Sequence, residues 1–141
     1  MLTLEQASGI ADGALAAARG LELRPLAVTV LDLGGNPIVT VRQDNAGILR
    51  HDIAHAKAWG CLGMVRGGGG VAAHAERTPI GFTGISAISG GRLAPARGGV
   101  LIRDADGNIL GAVGVSGDSP DNDEKAGIAG IVNVGLIAGA G

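Results

Sequence analysis

Residues 98–117 read GGVLIRDADGNILGAVGVSG, which places a short polar turn between two apolar segments and ends in a Ser-Gly corner. The aspartate that opens the turn can accept hydrogen bonds from backbone amides, and glycine readily adopts the left-handed conformation that such turns need. Acidic residues follow the corner at Asp118, Asp121, Asp123 and Glu124. This segment predicts a buried β-hairpin that delivers a glycine-rich, acidic rim to one edge of a sheet.

A second hairpin is predicted upstream by the same turn pattern. Residues Asp32–Asn36 and Asp104–Asn108 both follow the pattern D-x-x-G-N, and apolar residues at 26–31 and 38–41 flank the first turn. Two similar turns are too few to indicate a repeat architecture. The chain is therefore expected to form two separate hairpins.

Helices are predicted before, between and after the hairpins. Thr3 and Gln6 have the spacing of a capping box, and apolar residues follow at helical spacing. The acidic residues 121–124 suit the first turn of the last helix, because negative charge is favourable at a helix N-terminus. The helices are expected at residues 4–20, 48–64 and 121–138, with a mobile glycine loop at 67–70, a short helical turn at 71–76 and irregular chain at 86–92.

These elements predict one α+β domain over residues 1–141, with a central antiparallel sheet flanked by helices. The apolar residues Val100, Leu101 and Ile102 are contiguous, so both faces of the sheet need cover. Three short helices are expected to cover little more than one face. A homo-oligomer is therefore predicted, in which a second subunit covers either the other face or the Gly/Ala-rich last helix.

Composition excludes several classes of function. The chain has 11 basic and 13 acidic residues, and Trp59 and Phe82 are the only large aromatic side chains, so no nucleic acid partner is expected. No apolar stretch reaches the ~18 residues of a membrane span, so no membrane partner is expected either. A signal peptide is not recognisable, which leads us to expect a cytoplasmic protein. A single cysteine, Cys61, excludes a disulfide scaffold.

Four segments together resemble the GlcG/HbpS family, which is related to the C-terminal domain of PduO. They read LTLEQA, VLDLGGNPI, IAHAKAW and ISGGRLAPARGGVLIRDADGNILGAVGVSGDSPDNDE, and the resemblance extends from Leu2 to about Ile131. It implies a profilin-like fold with a central antiparallel sheet, and a homo-oligomer of up to eight subunits. It also implies binding of haem, a corrinoid or another small molecule near a subunit boundary. The iron ligand differs between members, so the resemblance assigns none here.

Lys57 and the Ser-Gly corner at residues 116–118 are predicted to converge on one shared binding pocket. Lys57 is the only lysine on a helix that otherwise buries apolar groups, and its ammonium suits a carboxylate or propionate. Gly98 and Gly99 leave the backbone open to a ligand, and the amides beside Ser116 can hold an anion. Alternatively, Lys57 extends to solvent or pairs with Glu124, while Ser116 and Asp118 only cap backbone amides.

Histidine provides the candidate iron ligands. His51 and His55 are four residues apart, which places them on one face of the second helix, and His74 lies further along the chain. His51 is the first candidate for a haem-iron contact, because the neighbouring Asp52 can orient its ring. The alternative is that all three are surface histidines.

The acidic rim suggests a second class of function. Mutual repulsion among Asp118, Asp121, Asp123 and Glu124 can raise the pKa of one carboxyl toward a range useful for acid-base chemistry. With Lys57 holding an acidic substrate, Glu124 or Asp118 would then move a proton in a lyase, isomerase or hydratase. The alternative is a solvated helix start.

Arg92 and Arg97, which flank Gly98 and Gly99, are further groups that can neutralise an acidic ligand, although exposed arginines near loops are usually only solvated.

The two candidate functions, haem binding and an enzyme, predict different cavities. A closed cavity with a converging lysine and carboxylate favours an enzyme, whereas a wide apolar cleft favours binding of a macrocycle.

Overall fold

A computed structural model describes residues 1–141 of the chain. Five strands form one antiparallel sheet in the order β2-β1-β4-β3-β5, which confirms the α+β prediction. The elements are α1 Leu4–Gly20, β1 Ala27–Asp32, β2 Pro37–Arg42, α2 Leu49–Met64, α3 Gly68–Arg77, α4 Pro79–Ile88, β3 Gly99–Arg103, β4 Ile109–Ser116, α5 Pro120–Asn133 and β5 Ile137–Gly139.

Local side-chain chemistry fixes the predicted turns and the first helix. In the β3–β4 turn, Oδ1 of Asp104 accepts a hydrogen bond from the backbone N–H of Asn108 at 2.9 Å. Gly107 precedes Asn108 with φ of 86°, a conformation that suits glycine. The β1–β2 turn repeats this arrangement around Asp32. Thr3 caps α1 in a complete capping box.

One face of the sheet packs against α1 and α5. Ile10 and Ile131 of these helices are buried in one core cluster with Val30, Val100 and Val113 of the strands. These five side chains have 0% exposure, so this is the main hydrophobic core of the molecule.

The opposite face packs against α2, which contacts β1, β3 and β4. Ala58 and Cys61 of this helix are buried with Leu31, Leu101 and Ala112 of the strands. The first alternative, in which a second subunit covers this face, is therefore wrong, because a single helix spans three strands. The two edge strands, β2 and β5, contain no fully buried residue, in contrast to the three inner strands.

Three predictions about the connecting chain are also wrong. The glycine run at 67–70 forms the first turn of α3 and not a loop, because its backbone packs against residue Ala140, to whose carbonyl oxygen the N–H of Gly69 donates at 3.0 Å. The segment expected to be irregular overlaps α4, which begins with Pro79 at its N-terminus. The last helix ends at Asn133, before Gly135 with φ of 76°, and the following residues form β5.

None of the helices combines the length and the apolar character that crossing a membrane requires.

Candidate functional site

Lys57 forms a buried ion pair with Asp123. The Nζ atom donates to Oδ2 of Asp123 at 3.1 Å and to the carbonyl oxygen of Val115 at 3.0 Å. The lysine is 4% exposed and the aspartate 1%. Burial lowers the pKa of Lys57, and the adjacent carboxylate opposes this effect. Both alternatives for this lysine, extension to solvent and pairing with Glu124, are therefore wrong.

The Ser-Gly corner meets Lys57 through the same carboxylate. Oδ1 of Asp123 accepts a hydrogen bond from the N–H of Asp118 at 2.9 Å, and Oδ2 lies 3.4 Å from the N–H of Gly117. The ammonium and the corner thus converge as predicted. The prediction of a shared pocket is nevertheless wrong, because the side chain of Asp123 fills the space between them and no cavity opens there.

Gly98 and Gly99 allow α2 to approach the sheet. A Cβ at Gly98 would lie 2.7 Å from both Nζ of Lys57 and the carbonyl oxygen of Val115, and φ there is 113°. A Cβ at Gly99 would overlap the carbonyl oxygen of Lys57. Both glycines are buried, and their backbone faces α2. The prediction that this backbone is open to a ligand is therefore wrong.

Asp118 stabilises the turn before α5. Its carboxylate accepts hydrogen bonds from the N–H of Arg24 at 2.9 Å, from Nδ2 of Asn122 at 2.8 Å and from the N–H of Ser119 at 2.8 Å. The bond from Arg24, followed by those from Asn122 and Ser119, holds the pKa of Asp118 far below its usual range. For Asp118, the expected rise in pKa from mutual repulsion is therefore wrong.

Ser119 is the residue that caps α5, since its side chain accepts from the N–H of Asn122 at 3.2 Å. The buried Ser116 does not cap this helix; its Oγ accepts from Nη1 of Arg50 at 3.3 Å. Of the two residues predicted to cap backbone amides, Asp118 therefore does so and Ser116 does not.

Replacing Asp118 with Asn should remove a pH-dependent part of the stability. A carboxylate whose folded-state pKa is depressed stabilises the fold fully above its unfolded pKa, which is 3.8, and loses this effect as the pH falls below it. In urea denaturation, we expect the difference between wild type and Asp118→Asn to be larger at about pH 6 than at about pH 3. An equal difference at both pH values would contradict this account.

Glu124 is held by Arg97. Nη1 of Arg97 lies 3.1 Å from Oε2 of Glu124, and Nε lies 3.5 Å from Oδ1 of Asp121. Each member of the predicted acid-base set therefore has a partner within the protein: Lys57 has Asp123, Asp118 has backbone amides, and Glu124 has Arg97. The geometry provides no unpaired proton carrier at this corner and lends the enzyme alternative no support.

The two histidines of α2 are both partly buried. The side chain of His51 is 44% exposed, and its Nδ1 lies 3.5 Å from Oδ1 of Asp52. Burial, followed by the proximity of His51, lowers the pKa of His55. His74 of α3 packs against Phe82, with ring centroids 6.0 Å apart. No group of three or more His, Cys, Asp or Glu side chains is arranged to hold a metal ion.

Open apolar clefts lie on both sides of Trp59, one helical turn beyond His55. The first, between α2 and α4, has a volume of about 240 Å³, and the second, beside the β1–β2 turn, about 200 Å³. Their lining residues are Trp59, Gly63, Met64, Ile85, Ile88, Ser89, Arg92 and Leu93 in the first, and Leu33, Gly34, Gly35, Trp59, Leu62 and Gly63 in the second.

A third cleft, of about 430 Å³, is mainly polar and lies near Arg42 and Asp44. None of the three clefts is lined by Lys57, Ser116 or Asp118. An open apolar cleft is therefore present on the outer side of α2, away from Lys57 and the Ser-Gly corner. No local sequence pattern indicated this cleft.

The family described as haem degrading protein HbpS-like matches residues 2–132. Among solved structures, a double mutant of HbpS from Streptomyces reticuli is 30% identical, with a TM-score of 0.80 and coverage of 93% of this chain and 85% of that one. The protein ORFY of Klebsiella pneumoniae is 25% identical, with a TM-score of 0.84 and coverage of 94% and 90%. The haem complex of PduOC is 22% identical, with a TM-score of 0.86 and coverage of 96% of both chains. No curated protein matches this chain in sequence.

Proposed function

This chain belongs to the HbpS-like family, and from that premise we propose that it binds haem or a related tetrapyrrole in the apolar cleft between α2 and α4. The observation that carries the proposal is the contrast between two places in the fold. The corner around Lys57 is filled by Asp123, whereas the cleft at Trp59 is open and apolar. A flat macrocycle needs an open apolar surface and does not need a closed polar cavity.

The size of the cleft fits partial cover of such a ring. Ligand pockets that enclose a small molecule typically measure about 300–1,000 Å³, and this cleft measures about 240 Å³. It would seat one part of a macrocycle and leave the remainder to solvent or to a second copy of the chain. The apolar residue Ile88, which is 85% exposed on α4 at the edge of the cleft, supports a homo-oligomer as part of this proposal.

No histidine lines this cleft, so a histidine ligand would have to approach the iron from beyond the rim of the cleft, along α2. His51 is the first candidate, since its ring already lies beside the Asp52 carboxylate. His55 is the second candidate, because it lies one turn closer to Trp59 and its lowered pKa favours the neutral ring, which can donate a nitrogen lone pair to iron. The bound iron would supply the redox chemistry of haem, while the protein residues position the ring and limit its contact with water.

The relatives support the haem-related part of this proposal. HbpS from Streptomyces reticuli belongs to the matched family at 30% identity, and PduOC, which shares the fold at 22% identity, forms a complex with haem. The proposal for this chain is binding, and its location rests on the cleft.

Titration of the purified protein with hemin tests the proposal. We expect a shifted Soret band that saturates at stoichiometric haem, and parallel quenching of the emission of Trp59, the only tryptophan in a chain without tyrosine. Replacing Trp59 with Phe should remove the emission and retain a shifted Soret band. A flat titration in excess protein would contradict tetrapyrrole binding. Comparing His51→Ala with His55→Ala would identify which imidazole controls the position of the band.

A further inference from the structure

We propose that Arg92 makes this cleft selective for ligands that carry a free carboxylate, so that an acidic tetrapyrrole binds and its neutral ester is rejected. The inference rests on the proposed function, because it names the chemical class of ligand that the same cleft accepts. It depends on how the guanidinium is held and on which of its donors remain free.

The chain after α4 directs Arg92 back toward α2. Gly90 and Gly91 have φ of 68° and 80°, left-handed conformations in which a residue with a side chain is strained. The reversal that they permit places Cζ of Arg92 4.3 Å from the centre of the Trp59 ring, and Nε donates to the carbonyl oxygen of Ser89 at 2.6 Å. A cation–π contact and a backbone hydrogen bond therefore fix the guanidinium at the rim of the apolar cleft.

The outer nitrogens of Arg92 are free to bind a ligand. Neither Nη1 nor Nη2 donates to a protein acceptor, and no carboxylate lies within ion-pair distance. By contrast, Arg24 is paired with Asp118, and Arg97 with Glu124. Arg92 is also the only charged residue among those that line the cleft. Its guanidinium therefore holds two free N–H donor groups, Nη1 and Nη2, in a fixed planar fork beside an apolar surface, with no negative charge nearby.

Such a fork recognises a carboxylate better than any neutral group. Two parallel N–H donors match the two oxygens of a carboxylate, and charge-assisted hydrogen bonds are about twice as strong as neutral ones. Esterification removes the negative charge of the carboxylate and its pair of equivalent acceptor oxygens, and it leaves the ring unchanged. The apolar cleft would supply affinity for the ring, and Arg92 would supply the discrimination between acid and ester.

The test compares metal-free mesoporphyrin with its dimethyl ester, so that iron ligation plays no part. Binding is measured by quenching of Trp59 at one fixed detergent concentration. We expect wild type to prefer the diacid by about ten-fold or more. Arg92→Gln should abolish this preference by weakening the diacid alone, and Arg92→Lys, which keeps the charge without the fork, should restore part of it. The matched control is Arg77→Gln on the exposed side of α3, which should retain the wild-type preference.

The outcomes separate the two proposals. Equal binding of diacid and diester by wild type, or an unchanged preference in Arg92→Gln, overturns the role of Arg92 and leaves the cleft as a tetrapyrrole site. Absence of binding by both porphyrins overturns this inference, and a flat hemin titration in addition overturns the proposed function. The comparison on wild type alone is decisive even if the Arg92 variants fold poorly.

Discussion

Replacing Asp123 with Asn is expected to lower the free energy of unfolding by about 3–5 kcal/mol. The substitution preserves the shape of the side chain but removes its charge, so the ammonium of Lys57, which is 4% exposed, would be left without a counter-ion. The amides of Gly117 and Asp118 would also lose a charged acceptor. Urea denaturation followed by far-UV circular dichroism measures the change.

The matched control is Asp121→Asn in the same turn of α5. The side chain of Asp121 is 79% exposed and lies 3.5 Å from Arg97, so its loss should cost less than about 1 kcal/mol. The double variant Lys57→Met with Asp123→Leu should recover most of the stability, because a buried pair can often be replaced by apolar groups of similar volume. Equal losses in the free energy of unfolding for Asp121→Asn and Asp123→Asn would contradict the claim that the unpaired buried charge causes the loss.

Replacing Gly114 with Ala is the other substitution with a large expected effect. Gly114 lies in β4 directly beneath α2, and a Cβ there would overlap the carbonyl oxygen of Ala54 and lie 3.0 Å from the N–H nitrogen of Ala58. Backbone atoms cannot rotate away, so α2 would have to move off the sheet. We expect a loss of about 3 kcal/mol or more, the upper part of the range for overpacked cores.

Gly84→Ala is the control for this substitution. Gly84 lies in α4, and no atom lies within 4 Å of the position that the alanine methyl group would take, so alanine should raise stability by up to about 1 kcal/mol through helix propensity. A cost below about 1 kcal/mol for Gly114→Ala would mean that α2 does not lie as close to β4 as the structure has it.

Features that depend on local chemistry were predictable from the sequence. The aspartate-opened turns at Asp32 and Asp104 and the capping box at Thr3 use hydrogen bonds within a few residues, so their sequence patterns determine them. The glycine run at 67–70 reads as a loop because glycine is a poor helix former. Its helical conformation depends on the backbone of Ala140, which is 70 residues or more away in sequence.

The site was predictable in part for the same reason. The hypothesis that Lys57 and the corner lie together is confirmed, and one of the two alternatives for Lys57 named Glu124 as its partner, one residue from the correct Asp123. A step of one residue turns a side chain by about 100° around a helix, and only the docking of α5 on the sheet selects the inward one. The cleft at Trp59 depends on how α4 packs against α2, for which no local sequence pattern exists.

The position of the proposed ligand is tested most directly by two isoleucines of α4. Ile88 lines the cleft and Ile80 does not, although their exposures, 85% and 90%, are nearly the same. A glutamate at either position should leave the fold intact, and only one of them places a charge in the path of the macrocycle. We predict that Ile88→Glu weakens hemin binding by about ten-fold or more while Ile80→Glu changes it by less than about two-fold. Equal hemin affinities for these two variants and wild type would contradict a tetrapyrrole site between α2 and α4.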